Sequence, residues 1–152
     1  MRTLLFYIFT VISFCFAPAT WAQESSKPED GGGCQMEISS EELQSITSGK
    51  QYYKVFKVDG KDGRVTLLEF NLVMREGQTY YFNIRSAHAG ANGIVMKVYE
   101  RKGKNRILTN FSGSGISANT SYKCPKTGMY DVKFTFRGSK DYCGVCVCSY
   151  TE

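Results

Sequence analysis

A chain of 152 residues with a formal net charge of +5 has material for one domain around a single core. Its basic residues are spread along the chain (Lys54, Lys57, Arg64, Arg75, Arg85, Lys97, Arg101). With no dense Lys/Arg block, the charge argues against a nucleic-acid or anionic-membrane surface, and ten Tyr with ten Phe push the composition towards β-structure.

The first residues read as an export signal. Met1-Arg2-Thr3 carries one positive charge, Leu4 to Phe16 runs apolar, and Ala17-Pro18 breaks the run before Thr20-Trp21-Ala22. A signal peptide over residues 1–22 is expected, cleaved after Ala22 and taking Cys15 with it. No transmembrane segment is expected, because no apolar run approaches the roughly 20 residues that a spanning helix needs. The mature chain is then exported, as a periplasmic, cell-surface or secreted protein. Residues 23–33 hold no apolar side chain to bury and end in three glycines, the composition of a flexible tether. Residues 34–152 form the single domain.

Ser39-Ser40-Glu41-Glu42 has the spacing of a capping box, Leu43 and Ile46 make a short apolar stripe, and Gly49 is a stop. One short N-terminal helix is predicted over about residues 40–48. From Gln51 the period changes to two. Tyr52 to Val58 is a first strand, closed by the turn-rich Asp59-Gly60-Lys61-Asp62-Gly63. Leu68, Phe70, Leu72 and Met74 form one face of a second strand, and Arg75-Glu76-Gly77-Gln78 turns into a third, Thr79 to Arg85. After the loop Ser86–Gly93, Ile94 to Glu100 and Arg106 to Phe111 are strands. Beyond the loop Ser112–Thr120 come Ser121 to Pro125, then the alternating Tyr130, Val132, Phe134 and Phe136, then a closing strand Tyr142 to Tyr150. About eight short strands with regular turn signals and no helix between them predict an all-β fold, an antiparallel β-sandwich of jelly-roll type.

Once Cys15 is removed, Cys34, Cys124, Cys143, Cys146 and Cys148 remain, an odd number. In an oxidising compartment a small domain is usually stapled, and a bridge between Cys124 and Cys143 across one hairpin is expected. Cys146 and Cys148 lie two apart on a strand and face away from Cys143, Val145 and Val147. One of them, taken as Cys148, is expected to receive Cys34 from its glycine tether. That leaves a thiol for an intermolecular disulfide. The alternative is a thiol-redox or metal-binding protein using Cys143, Cys146 and Cys148. A redox CxxC, however, wants its first Cys at a helix N-terminus, and a zinc site wants paired knuckles or histidine partners, whereas the one histidine is His88 in a distant loop. No metal and no cofactor are expected.

His88 has no neighbouring acid in the sequence and reads as a solvated loop residue. Asp59 and Asp62 read as turn formers, and Glu69 as a surface carboxylate. Tyr53, Tyr81 and Tyr99 alternate outward and are the candidate ligand-facing aromatics, with cross-strand pairing as the structural alternative. Asn110-Phe-Ser112 and Asn119-Thr-Ser121 fit the glycosylation sequon.

From about Leu68 to Tyr150 the chain resembles the bacterial pre-peptidase C-terminal domain family and similar small jelly-roll modules of exported proteins. The residues that carry the likeness are Phe70-x-Leu72, Glu76-Gly77-Gln78-Thr79-Tyr80, Val95 to Glu100, Pro125 to Val132, and Tyr142-Cys143-Gly144-Val145. The resemblance implies a β-sandwich accessory module without catalysis. The acidic approach to the middle strand that goes with a calcium site is replaced here by Ala91-Asn92-Gly93-Ile94. The expected function is a non-enzymatic binding or accessory module whose partner is a protein or a glycan. It would present the loops Ser86–Gly93 and Ser112–Thr120 or an aromatic sheet face.

Overall fold

The computed structural model describes residues 34–88, 90–101 and 105–152; the expected signal peptide and tether lie outside these. The first element is a helix, α1 (Ser40–Ile46), capped where the sequence placed the cap: Ser39 Oγ accepts the Glu42 N–H at 3.1 Å. Gly49, at φ +71°, follows its end.

Ten strands follow among the described residues: β1 (Gln51–Asp59), β2 (Leu67–Met74), β3 (Thr79–Ser86), β4 (Ile94–Glu100), β5 (Arg106–Thr109), β6 (Phe111–Ser112), β7 (Gly115–Ile116), β8 (Asn119–Lys123), β9 (Gly128–Phe136) and β10 (Cys143–Thr151). Eight of them build two four-stranded antiparallel sheets, in the orders β1-β10-β3-β8 and β2-β9-β4-β5. The chain switches sheets at most connections, so strands adjacent in sequence face each other across the core. This is the predicted jelly roll. The loop expected at 112–120 holds an added hairpin, β6 with β7.

The alternation read from the sequence sets the two inner faces. Phe56, Val58, Tyr80, Phe82, Ile84, Cys146 and Cys148 point inward from the first sheet; Leu72, Met74, Ile94, Met96, Val98, Tyr130, Val132 and Phe134 meet them from the second. Ring centroids of Phe134 and Phe56, one from each sheet, lie 5.9 Å apart, and Phe70 packs 5.3 Å from Phe56. Two buried tyrosines also hold turns. Tyr80 OH accepts the Arg75 N–H and donates to Gln78, while Tyr130 OH donates to the Lys126 carbonyl.

The disulfide differs from the expected pairing. Cys34 bonds Cys143, with Cα atoms 5.1 Å apart, and Cys124, Cys146 and Cys148 are free and buried. The register explains why. Cys143 opens β10 opposite Asp59, whereas Cys124 follows Lys123, which pairs with Thr79 level with Thr151 at the other end of β10. Eight residues of strand, roughly 27 Å, separate the two levels, far beyond the ~7 Å that a bridge tolerates. Cys148, also expected in a bridge, is instead a free thiol that points into the core, on the face of β10 opposite Cys143.

Two close approaches admit only glycine. A Cβ on Gly93, at φ +77°, would lie 2.5 Å from the Ser139 nitrogen; one on Gly144 would lie 2.5 Å from the Arg85 oxygen. Asn110, the first sequon asparagine, is 4% exposed and its amide is consumed by the fold. Its Oδ1 accepts the Met96 N–H at 2.8 Å, and its Nδ2 donates to the carbonyls of Ile94 at 3.0 Å and Ser117 at 2.9 Å. Asn110→Ala orphans two buried backbone groups, the Met96 N–H and the Ile94 carbonyl, each worth about 1–3 kcal/mol, and removes a third bond to the more exposed Ser117 carbonyl. The variant is expected to lose about 3 kcal/mol or more, seen as a lower urea midpoint at unchanged slope. A loss below about 1 kcal/mol would show that these bonds are replaced by water.

Candidate functional site

The outer face of the first sheet carries a groove of about 420 Å³ between α1 and strands β3 and β8. Because Tyr80, Phe82 and Ile84 of β3 go inward, Tyr81 and Asn83 go outward. Antiparallel register then builds rows across the sheet. Tyr81 stands between Ser149 of β10 and Ser121 of β8, and Asn83 stands opposite Asn119. Lys50 and Ile46 line the groove from the end of the helix, with the Lys50 ammonium 5.1 Å from the Tyr81 ring centre. Asn83 Nδ2 donates to Asn119 Oδ1, while Asn83 Oδ1 is enclosed and has no hydrogen-bond partner. The groove is thus an aromatic ring surrounded by hydroxyls and amides, with one cation. Such a lining suits a ligand rich in neutral donors and acceptors.

The other two tyrosines singled out in the sequence sit elsewhere. A register shift in β1 between Tyr52 and Lys54 breaks the alternation. Tyr53, expected to face outward, therefore packs edge-on against the inner Tyr80 and Tyr150 at 6.0 Å, and its OH donates to the Val73 carbonyl at 2.9 Å. Tyr99 lies on the outer face of the other sheet under Lys133, whose ammonium is 5.6 Å from the ring centre. The three form no common surface; Tyr81 alone lines the groove.

His88 has a partner that the sequence did not reveal. Its Nδ1 lies in contact with the Asp141 carboxylate, and Asn92 Nδ2 donates to the same carboxylate oxygen at 3.0 Å. Asp141 comes from the loop between β9 and β10, so only the fold brings it to His88. The cluster ties two loops at one end of the sandwich, with His88 still 57% exposed. Asp59 accepts the Lys61 N–H at 2.8 Å within its own turn, and Glu69 pairs with Lys133 at 2.6 Å across β2 and β9. Asn119 is exposed at the groove, so of the two sequon asparagines only it presents its side chain at the surface.

No family model matches this chain, and no curated protein does. Among solved structures it is similar to PliG of Aeromonas hydrophila, described as a periplasmic lysozyme inhibitor of g-type lysozyme. Identity is 13% and the TM-score 0.45, over 76% of this chain and 93% of that one. PliG of Salmonella Typhimurium aligns at 14% identity and a TM-score of 0.39, over 67% and 91%. At these scores the likeness is loose, and what PliG binds is a property of PliG.

The cysteine cluster does not converge. Cys143 is bonded to Cys34, while Cys146 and Cys148 face the core. Burial pushes the Cys148 thiol from its ordinary 9.0 up to about 12, and pushes Cys146 well up, with Cys148 beside it adding to the effect. Neither offers an accessible thiolate. Cys124 is also buried, its thiol donating to the Lys126 carbonyl at 3.1 Å. The thiol expected for an intermolecular disulfide is therefore not at the surface among the described residues. Among those residues, too, no three of His, Cys, Asp and Glu cluster closely enough to hold a metal ion.

A thiol whose ionisation is pushed up in the folded state keeps its proton where the unfolded chain has released it. Its contribution to stability is complete below about pH 9 and is lost as the pH rises towards 12. Buried Tyr80 and Tyr130 are shifted in the same direction, chiefly by desolvation. Urea midpoints measured at pH 8, 9 and 10 are expected to fall progressively. Each such group contributes up to about 1.4 kcal/mol per pH unit once its unfolded form is ionised. Cys148→Ala is expected to flatten the slope by about one proton. An unchanged slope in that variant would mean that Cys148 ionises alike in both states.

Proposed function

We propose that this protein is an exported, non-enzymatic binding module that takes a neutral polar ligand, a glycan, in the groove around Tyr81. The observation that carries the reading is the lining itself: a half-buried tyrosine ring with Ser121, Ser149, Asn83 and Asn119 placed around it by the register of three strands. Sugars offer apolar C–H faces to an aromatic ring and hydroxyls to amides and serines, which matches this set. The Cys34–Cys143 disulfide supports export, because such bonds persist in oxidising compartments. The non-enzymatic part is supported by where the reactive groups lie: the inward thiols are protonated, Asp59 serves its turn and Glu69 is held by Lys133.

Glycan-array binding followed by calorimetry tests the reading. Tyr81→Ala is expected to weaken binding about tenfold, a change of ~1.4 kcal/mol, while Tyr99→Ala on the other sheet leaves it unchanged. A protein panel with g-type lysozyme among its members runs alongside. Absence of glycan binding, or binding indifferent to Tyr81→Ala, overturns the glycan reading. A protein that binds and loses affinity on Tyr81→Ala would keep the groove and change its occupant.

A further inference from the structure

The four edge strands of the two sheets are not equally protected. Edge strands expose unpaired N–H and C=O groups, which proteins usually guard with bulges, lysines, proline or shortness. The edge strand β1 has a register shift and exposed Lys54 and Lys57. Strand β5 is four residues long and pairs with β4 through another shift. Strand β8 is five residues long and runs into Lys123, Cys124 and Pro125. Strand β2 has none of these. It runs eight residues, Leu67-Leu68-Glu69-Phe70-Asn71-Leu72-Val73-Met74, in unbroken register with β9 and without a basic residue or proline.

The outward-facing groups of that edge can be identified, and one of them, the Val73 carbonyl, is already taken. The Val73 carbonyl receives the Tyr53 OH, so it points away from β9, and the Met129 carbonyl opposite it turns to Arg101 instead. Val73 and Met129 therefore form a non-hydrogen-bonded pair, and the alternation of an antiparallel ladder gives Leu67, Glu69 and Asn71 the same outward orientation. Their side chains lie on the outer face, where Leu67 is 46% and Val73 48% exposed. On the inner face Leu68 and Phe70 pack on the core but stay only half-buried at the open edge.

From this edge we infer that β2 is a self-association surface, and that its partner is the β2 of a second copy of this chain, joined antiparallel about a two-fold axis at Phe70. The sequence of the strand is self-complementary in that register. Leu67 falls opposite the partner's Val73, apolar side chain against apolar side chain, while the Val73 carbonyl keeps its Tyr53 bond and the Glu69–Asn71 pairs supply the ladder bonds. Glu69 falls opposite the partner's Asn71, an acceptor against an amide donor. Shifting the register by two residues in one direction sets Glu69 against the partner's Glu69, a like-charge pair that costs stability. Phe70 meets the partner's Phe70 across the axis, and Leu68 lies beside the partner's Leu72, so the pairing covers the two side chains, Leu68 and Phe70, that the monomer leaves half-buried. The second sheet becomes one of eight strands, by the same strand addition that edge-binding peptides use. A single-strand junction lies at the small end of interface sizes, so the dimer is weak and concentration-dependent. This surface is separate from the Tyr81 groove and does not rest on the glycan reading.

Sedimentation velocity of the purified exported protein, run from low micromolar to near-millimolar concentration with and without reductant, tests the inference. A reversible monomer–dimer equilibrium insensitive to reductant is expected. Leu67→Lys and Val73→Asp, both at exposed positions, should each raise the dimer Kd about tenfold or more, since the Leu67–Val73 pair, lying off the axis, occurs twice in a two-fold dimer. The double variant sets the two new charges opposite each other and should recover most of the affinity. Circular dichroism and urea midpoints confirm that each variant is folded. The proposal is overturned by a monomer at every concentration, by a dimer that dissociates in reductant, by single variants that leave the dimer unchanged, or by a double variant no better than the singles.

Discussion

Contact between Phe134, Phe56 and Phe70 across the two sheets is the interaction on which the rest of this structure depends. The three rings, with centroids 5.3 to 5.9 Å apart, join β9 and β2 of one sheet to β1 of the other. Such pairs contribute about 0.5–1.5 kcal/mol each beyond their buried area, but their larger effect is on parity. Once these residues are inside, every second residue of each regular strand must be outside. That parity puts Cys146 and Cys148 in the core, and Tyr81 and Asn83 on the outer face. It also leaves Leu67, Glu69, Asn71 and Val73 facing solvent along β2.

The disulfide acts on a different scale. Cys34 and Cys143 are 109 residues apart in sequence, so the bond closes almost the whole described chain into a loop and constrains the unfolded ensemble. It also anchors the start of the arm that leads into α1, the helix that supplies Ile46 and Lys50 to the groove. The staple and the candidate site are thus connected through one short segment.

Where local and global signals agreed, the sequence could be read directly. Ser39 caps a helix because its hydroxyl reaches the Glu42 N–H whatever the rest of the chain does, and β9 alternates because both of its neighbours demand it. Tyr81 could be assigned to an outer face for the same reason. Tyr53 could not, because a single irregularity in β1 reverses its direction, and no residue in the Tyr52-Tyr53-Lys54 run announces a bulge. The Asp141 partner of His88 was invisible for another reason. A partner 53 residues away is a property of two loops meeting at one end of a sandwich, and the residues themselves carry no mark of it.

By itself, then, the sequence determined the helix, the eight strands of the two sheets, their inward and outward faces apart from the irregular start of β1, the jelly-roll class and the candidacy of Tyr81, all of which follow from spacing within a few residues. Only the tertiary structure decided which cysteines bond, which tyrosine lines a groove, what holds His88 and which sheet edge is left unguarded. These depend on how strands pair and at what level they lie beside one another. Register is set by the sum of core contacts from both sheets, so no local stretch of the chain encodes it.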